Sequence, residues 1–202
     1  MSSSIPGVVD EGRTAGQVDA AIAAGRIALG SRSGEFVSAV GRGIEIATTI
    51  TTCSISAAGR MFASPMRIEK TITVDQVALE VTAFAAGLCR LSIYADDNGR
   101  PGTLILDAGE FDCALTNGVR PLAVSLTLTP QVVWLACNFS TTGPTLRGAT
   151  AVAGSIVPIL SNAVTSRIGS LQGTQTYGAA PATFPTATQG DGRYFHVQLR
   201  VA

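Results

Sequence analysis

Catalysis needs polar groups that converge, and this chain offers few places where they could. It has a single histidine, His196, set in the alternating stretch Tyr194-Phe195-His196-Val197 with no nucleophile motif beside it. A Ser-His-Asp arrangement would depend wholly on that imidazole, and there is no GxSxG turn to expose a serine. His196 therefore reads as a surface or interface residue on the polar face of a strand. Asp107, Glu110 and Asp112 could supply the paired carboxylates of glycoside cleavage, but acidic residues at this spacing more often edge a solvated loop. Asp96-Asp97-Asn98-Gly99 begins like a calcium loop and lacks the bidentate glutamate that should close it, so it reads as a turn. Gly12-Arg13 and Gly41-Arg42-Gly43 are too short to cradle a phosphate. The four cysteines, Cys53, Cys89, Cys113 and Cys137, stand 24 to 36 residues apart and form no CxxC pair, which is not the spacing of a zinc or redox site. Buried, reduced thiols acting as small hydrophobes are expected. No catalytic, cofactor-binding or metal-ligating residue is expected anywhere in the chain.

Sugar binding is the ligand chemistry that the residue types support best, because exposed aromatic rings beside polar side chains stack against sugars. Tyr94, Tyr177, Phe184 and Tyr194 are the candidates, although aromatics are only 5% of the chain. Tyr177 and Phe184, in a loop-rich stretch, are the expected glycan contacts. Phe111, Trp134 and Phe195 are better explained as core.

Composition narrows the function classes further. Acidic and basic residues balance at 14 each, and no Lys or Arg run exists, so a nucleic-acid partner is not expected. Only 14% of residues are charged, against about 25% in ordinary soluble domains, and mean hydropathy is +0.34. Neutral, weakly charged surfaces associate, so much of this surface is expected to be covered by partner subunits. The start, Met1-Ser2-Ser3-Ser4-Ile5-Pro6-Gly7, has neither the basic nor the apolar region of a secretory signal. The longest apolar runs, such as Val132 to Cys137, fall far short of the roughly 18 residues that a membrane-spanning helix needs.

The elements that position these residues are mostly strands. Gln17 to Leu29 places Val18, Ile22 and Leu29 at helical spacing between Gly16 and Gly30, which predicts a short helix. Residues 1–60 as a whole read as an attachment arm. From Arg67 the period becomes two: Ile68, Ile72 and Val74, then Val77, Leu79 and Val81, then Cys89, Leu91 and Ile93, alternate with polar neighbours. Successive strand side chains point to opposite faces, so one face of each is buried. Further strands are expected at 103–107, 122–126, 132–139 and 194–201, the last in a sheet interior. Turns fall at 96–102 and at Asn117-Gly118. Residues 140–191 are rich in Gly, Thr, Ala and Pro and read as a long loop-rich insertion. An all-β fold follows, a jelly-roll-like β-sandwich spanning 61–202.

The stretch from Thr71 to Phe139 also carries a longer pattern. Leu91-Ser92-Ile93-Tyr94-Ala95-Asp96-Asp97-Asn98-Gly99-Arg100-Pro101-Gly102 is followed by Leu106-Asp107-Ala108-Gly109, then by Leu126-Thr127-Leu128-Thr129-Pro130 and Val133-Trp134-Leu135-Ala136. This resembles the β-sandwich modules of bacteriophage virion proteins, tail-fibre and appendage proteins above all. It departs from their pattern at Gln131, where they usually have Gly. Pro101 and Gly102 are expected to fix a tight turn, and Trp134 to fill the core beneath it.

The resemblance implies a non-enzymatic structural subunit made in the bacterial cytoplasm and built into the phage particle. A tail fibre or tail-associated appendage is expected, docking by its arm and self-assembling, with a trimer favoured. Its partners would be other virion proteins and a host-surface glycan, with no membrane or nucleic-acid partner. A capsid decoration (cement) protein is the alternative, and a small glycan-active enzyme is a distant third. The acceptor pattern Asn138-Phe139-Ser140 would go unglycosylated in such a host.

Overall fold

The computed structural model describes residues 36–38, 51–149, 170–189 and 193–202. All of them lie in the second of two compact units into which the chain divides, Met1–Ser31 and Arg32–Ala202. The helix expected over 17–29 lies outside the described residues. Within them the protein is all-β, with no helix. Thirteen strands are present: β1 (Phe36–Ser38), β2 (Thr51–Ser54), β3 (Arg60–Ile68), β4 (Ile72–Ala83), β5 (Leu88–Asp96), β6 (Pro101–Asp112), β7 (Gly118–Leu128), β8 (Gln131–Phe139), β9 (Thr145–Ala149), β10 (Leu171–Thr174), β11 (Thr188–Gln189), β12 (Tyr194–Phe195) and β13 (Gln198–Val201).

They form two antiparallel sheets. The first has seven strands in the order β1-β13-β4-β9-β12, with β2 added on β9 and β7 on β4; the second has six, β11-β10-β3-β8-β5-β6. Strand β4 is the spine of the first sheet. The two alternating stretches around residues 68–74 and 77–82 are not separate strands: Ile72 onward is one strand with a register shift between Val74 and Gln76. The bulge adds one residue and carries the inward alternation on past it. The terminal strand is broken in two. At the break the His196 amide donates to the Arg147 carbonyl and the Val197 amide to that of Phe195. Beyond it, β13 lies between β1 and β4, in the sheet interior as expected.

Strands β3, β8 and β5 are the centre of the second sheet and are buried along nearly their whole length. Register sorts their side chains. Phe62, Cys137 and Leu91 pair in one row, and Pro65, Trp134 and Tyr94 in another that faces the other way. The Phe62 row meets the first sheet: the Phe195 ring of β12 lies 5.1 Å from Phe62 and 5.0 Å from Phe139. One hydrophobic cluster runs through residues of both sheets, with all four cysteines buried inside it. Burial pushes the Cys113 thiol up to about 11, with Asp112 adding to the shift, and raises Cys89 and Cys137 well above the ordinary thiol range. These thiols stay protonated and act as packing groups.

The arm boundary expected at residue 60 falls inside the fold. Strand β1 pairs with β13 and β2 with β9, and Cys53 and Ile55 belong to the core. The expected insertion at 140–191 likewise contains ordered strands, β9 and β10, each paired into a sheet.

Candidate functional site

The second face of the β3-β8-β5 sheet, where Tyr94 and Trp134 lie, is covered by residues 175–187, hereafter the strap. Local sequence explains how the strap comes so close. Gly173 of β10 pairs with Met61, and a methyl group added there would sit 2.8 Å from the Pro185 Cβ. Any larger residue would push the strap off the sheet. Backbone bonds then fasten its second half to β6: the Leu104 amide donates to the Ala182 carbonyl and the Phe184 amide to that of Gly102, around a bridge between Thr103 and Thr183.

Side chains pin the strap along its length. The Asn138 amide nitrogen donates to the carbonyls of Arg60 and Gln175, and the Tyr94 hydroxyl to that of Pro181. At the centre is Arg90. One arm of its guanidinium donates to both Asp107 oxygens at 2.9 Å and the other to Glu110 Oε2 at 3.0 Å. The strap supplies two further donors, the Tyr177 hydroxyl to Glu110 Oε2 and the Ala180 amide to Asp107 Oδ2. Burial alone would raise the Asp107 carboxyl. The amides of Ala180 and Gly109, together with Arg90, outweigh it and hold the group below the ordinary carboxylate range. Burial and the Glu110 carboxylate push the Tyr177 phenol well upward, and burial takes Tyr94 up to about 12. The site therefore holds a tied, ionised carboxylate beside two protonated phenols.

Five of the residues singled out from the sequence converge here: Tyr94, Asp107, Glu110, Tyr177 and Phe184. Asp107 and Glu110 share one guanidinium, while Asp112 turns away to accept its bond from the Ala114 amide. A general acid for glycoside cleavage needs a carboxyl raised toward neutrality, and Asp107 is shifted the opposite way. Tyr177 is half-buried at the strap's edge. Phe184 is 5% exposed and meets the Tyr94 ring edge-on at 5.3 Å, so its face is spent on packing rather than offered to a sugar. Tyr194 is also buried in the core.

The Asp96-Asp97-Asn98-Gly99 stretch is a two-residue hairpin. Asp97 and Arg100 exchange backbone hydrogen bonds, and the central Asn98 and Gly99 have φ of 52° and 81°, the type I′ arrangement that favours this pair of residues. Asn98-Gly99, not Pro101-Gly102, makes the turn; Pro101 and Gly102 open β6. Asp96 locks the hairpin, accepting from the Gly99 amide through one oxygen and from the Trp134 indole N–H at 2.7 Å through the other. Trp134 is thus core, as expected, but on the strapped face.

His196 lies elsewhere, on the first sheet beside the bidentate pair of Arg147 and Glu80. Burial lowers its pKa from the ordinary 6.5, Arg147 lowers it further, and Glu80 opposes them. Asn138 is 1% exposed with its amide engaged, which removes it from the surface as a glycosylation acceptor. Among the described residues no group of three or more His, Cys, Asp or Glu is placed to hold a metal ion, and no helix is long and apolar enough to cross a membrane.

Arg90 and Asn138, the pins of the strap, carry no sequence signal, because a polar residue in an alternating strand normally marks a solvated face. The same holds for four large exposed apolar residues at one end of the strand-built body, Phe84, Leu88, Leu115 and Val119. No protein-family model matches the chain, and no curated protein matches it in sequence.

Proposed function

We propose that the chain is a non-enzymatic structural subunit of a bacteriophage particle, a tail fibre or tail-associated appendage that docks through its N-terminal residues. The observation that carries this reading is the poverty of charge. Fourteen per cent charged residues and no net charge make a surface suited to burial against other subunits and poorly suited to a free monomer. The pattern from Tyr94 to Trp134, resembling appendage modules, supports the same reading, and its residues are those that lock the hairpin and pack the strapped face.

A jelly-roll-like β-sandwich is part of the proposal. Ring contacts between Phe195 of one sheet and Phe62 and Phe139 of the other support it. So does the path of the chain, which passes from one sheet to the other between β3 and β4, β4 and β5, β6 and β7, β7 and β8, and β8 and β9, as jelly rolls do. Host-glycan contact in this reading falls at the strap's edge on Tyr177, with Phe184 holding the strap from beneath. Capsid decoration is the second reading. It is favoured by the described residues having no repetitive or coiled shaft.

The test is to mix the purified chain with shells of the encoding phage stripped of accessory proteins, and separately with its tails. Binding to tails and not to shells supports the appendage. Saturation of the shells with a raised shell melting temperature moves the protein to the head as a cement subunit. Binding to neither particle overturns the virion reading.

A further inference from the structure

One end of the strand-built body is made of three loops, residues 84–87, 113–117 and 140–144, and neither they nor the strand residues 82–83, 88 and 118–119 beside them include a charged residue. Two of these loops carry Phe84 at 59% and Leu115 at 68% exposure, flanked by Leu88 and Val119. Large apolar side chains so far into solvent are costly unless something covers them.

Their exposure does not come from loose loops. The Phe84 amide donates to Asn117 Oδ1, the Cys113 amide to the Gly87 carbonyl and the Leu88 amide to Ser140 Oγ, while Thr141 Oγ1 donates to the Ala86 carbonyl. The Arg120 guanidinium braces the second loop by donating to the carbonyl and hydroxyl of Thr116. Four ties hold the three loops to one another, and with the Arg120 brace they present Phe84 and Leu115 from a fixed base. A rigid platform of this kind loses little entropy on association. Its missing charge and aromatic anchor match the composition of an interface centre.

Resting on the reading of the chain as one copy among many, we infer that this end is a self-association surface whose occupant is the same end of a second copy. An uncharged patch calls for an uncharged partner. An isologous contact supplies one automatically, since each copy meets its own surface. The rim is complementary to itself as well: it carries one acid, Asp112, and one base, Arg120, so a two-fold arrangement can set opposite charges against each other. The four apolar side chains expose roughly 400 Å², about half of what each partner contributes to a standard interface. The polar backbone and hydroxyls of the three loops would form the remainder.

The experiment is sedimentation velocity on the full chain across a concentration series, comparing wild type with Phe84→Ser/Leu115→Ser. Shell and tail binding is measured on the same samples. Wild type should self-associate, and the variant should dissociate with a dissociation constant raised about tenfold or more at an unchanged near-ultraviolet circular dichroism spectrum. If the double variant does not fold, the single variants Phe84→Ser and Leu115→Ser are read in the same way. A wild type that stays monomeric at every concentration overturns the inference, and particle binding by that monomer would leave the virion reading standing. Self-association unchanged in the variants also overturns it, by placing the contact elsewhere.

Discussion

Trp134 couples three pieces of the second sheet through a single N–H. Its indole donates to Asp96, which also accepts from Gly99 and so holds the hairpin that starts β6. Trp134→Phe should keep the ring's burial but remove that bond and leave a small void, at a cost of about 2 kcal/mol. Urea unfolding measures it; a loss below about 0.5 kcal/mol would show that the indole N–H is not needed there. His196 makes a second residue-scale case. Its folded pKa is depressed by burial and by Arg147, so the unfolded chain takes up the proton first as pH falls. Stability should be complete above the ordinary value of 6.5 and decline as pH drops below it toward the folded pKa. His196→Gln keeps a neutral polar group and should flatten the melting temperature between about pH 7 and pH 5. Glu80, Asp75 and Asp107 are all held below their ordinary values and lose their contribution only at lower pH, so an identical slope in the variant would overturn the assignment to His196.

At the scale of elements, the strap is held by a few discrete ties, and this makes its stability local. Tyr177→Phe deletes the hydroxyl bond to Glu110, a partly exposed group, and should cost about 0.5–1 kcal/mol. Hydrogen exchange should quicken in residues 175–184 and stay unchanged in β8; equal quickening in both would mean that strap and sheet open as one unit. The strap also shows where sequence reading stops. Strands whose sequence alternates polar with apolar announce themselves: β4 and β5 are legible from their period of two, β8 as a continuous apolar run, and the hairpin from Asp-Asn-Gly chemistry. Strand β3 escaped, because Met61 to Met66 are buried on both faces and alternation vanishes when both faces are covered. Pro65 is also a residue that central strands rarely hold. It is tolerated because β10 stops opposite Ala63, so that beyond it this edge of β3 has no strand partner among the described residues. Strands β9 and β10 are too short, and too rich in Gly and Thr, to stand out from a loop. The strap's ties pair Tyr177 with Glu110 and Ala180 with Asp107, partners some seventy residues apart that no local pattern could join.

For the whole molecule, the question is where the proposed docking arm ends and the folded body begins. Composition suggested residue 60, but the packing puts the division earlier. The compact body starts at Arg32, β1 adds to the edge of β13, and β2 brings Cys53 and Ile55 into the core at 0% and 5% exposure. Deleting residues 1–31 should therefore leave the body folded, with its melting temperature within a few degrees of the full chain, and abolish binding to the particle. Deleting residues 1–60 removes two strands and opens the core over β9. Burying a side chain the size of Ile contributes about 1.5–3 kcal/mol, and with the lost strand pairing the deficit reaches the 5–15 kcal/mol that holds a typical domain together. The longer deletion should give an aggregating or molten chain. Circular dichroism and particle binding on the two truncations decide the matter. If the 1–60 deletion folds cooperatively, β1 and β2 are dispensable additions to the first sheet. If the 1–31 deletion still binds particles, docking belongs to the strand-built body, and the uncharged end bearing Phe84 and Leu115 becomes the first surface to test for it.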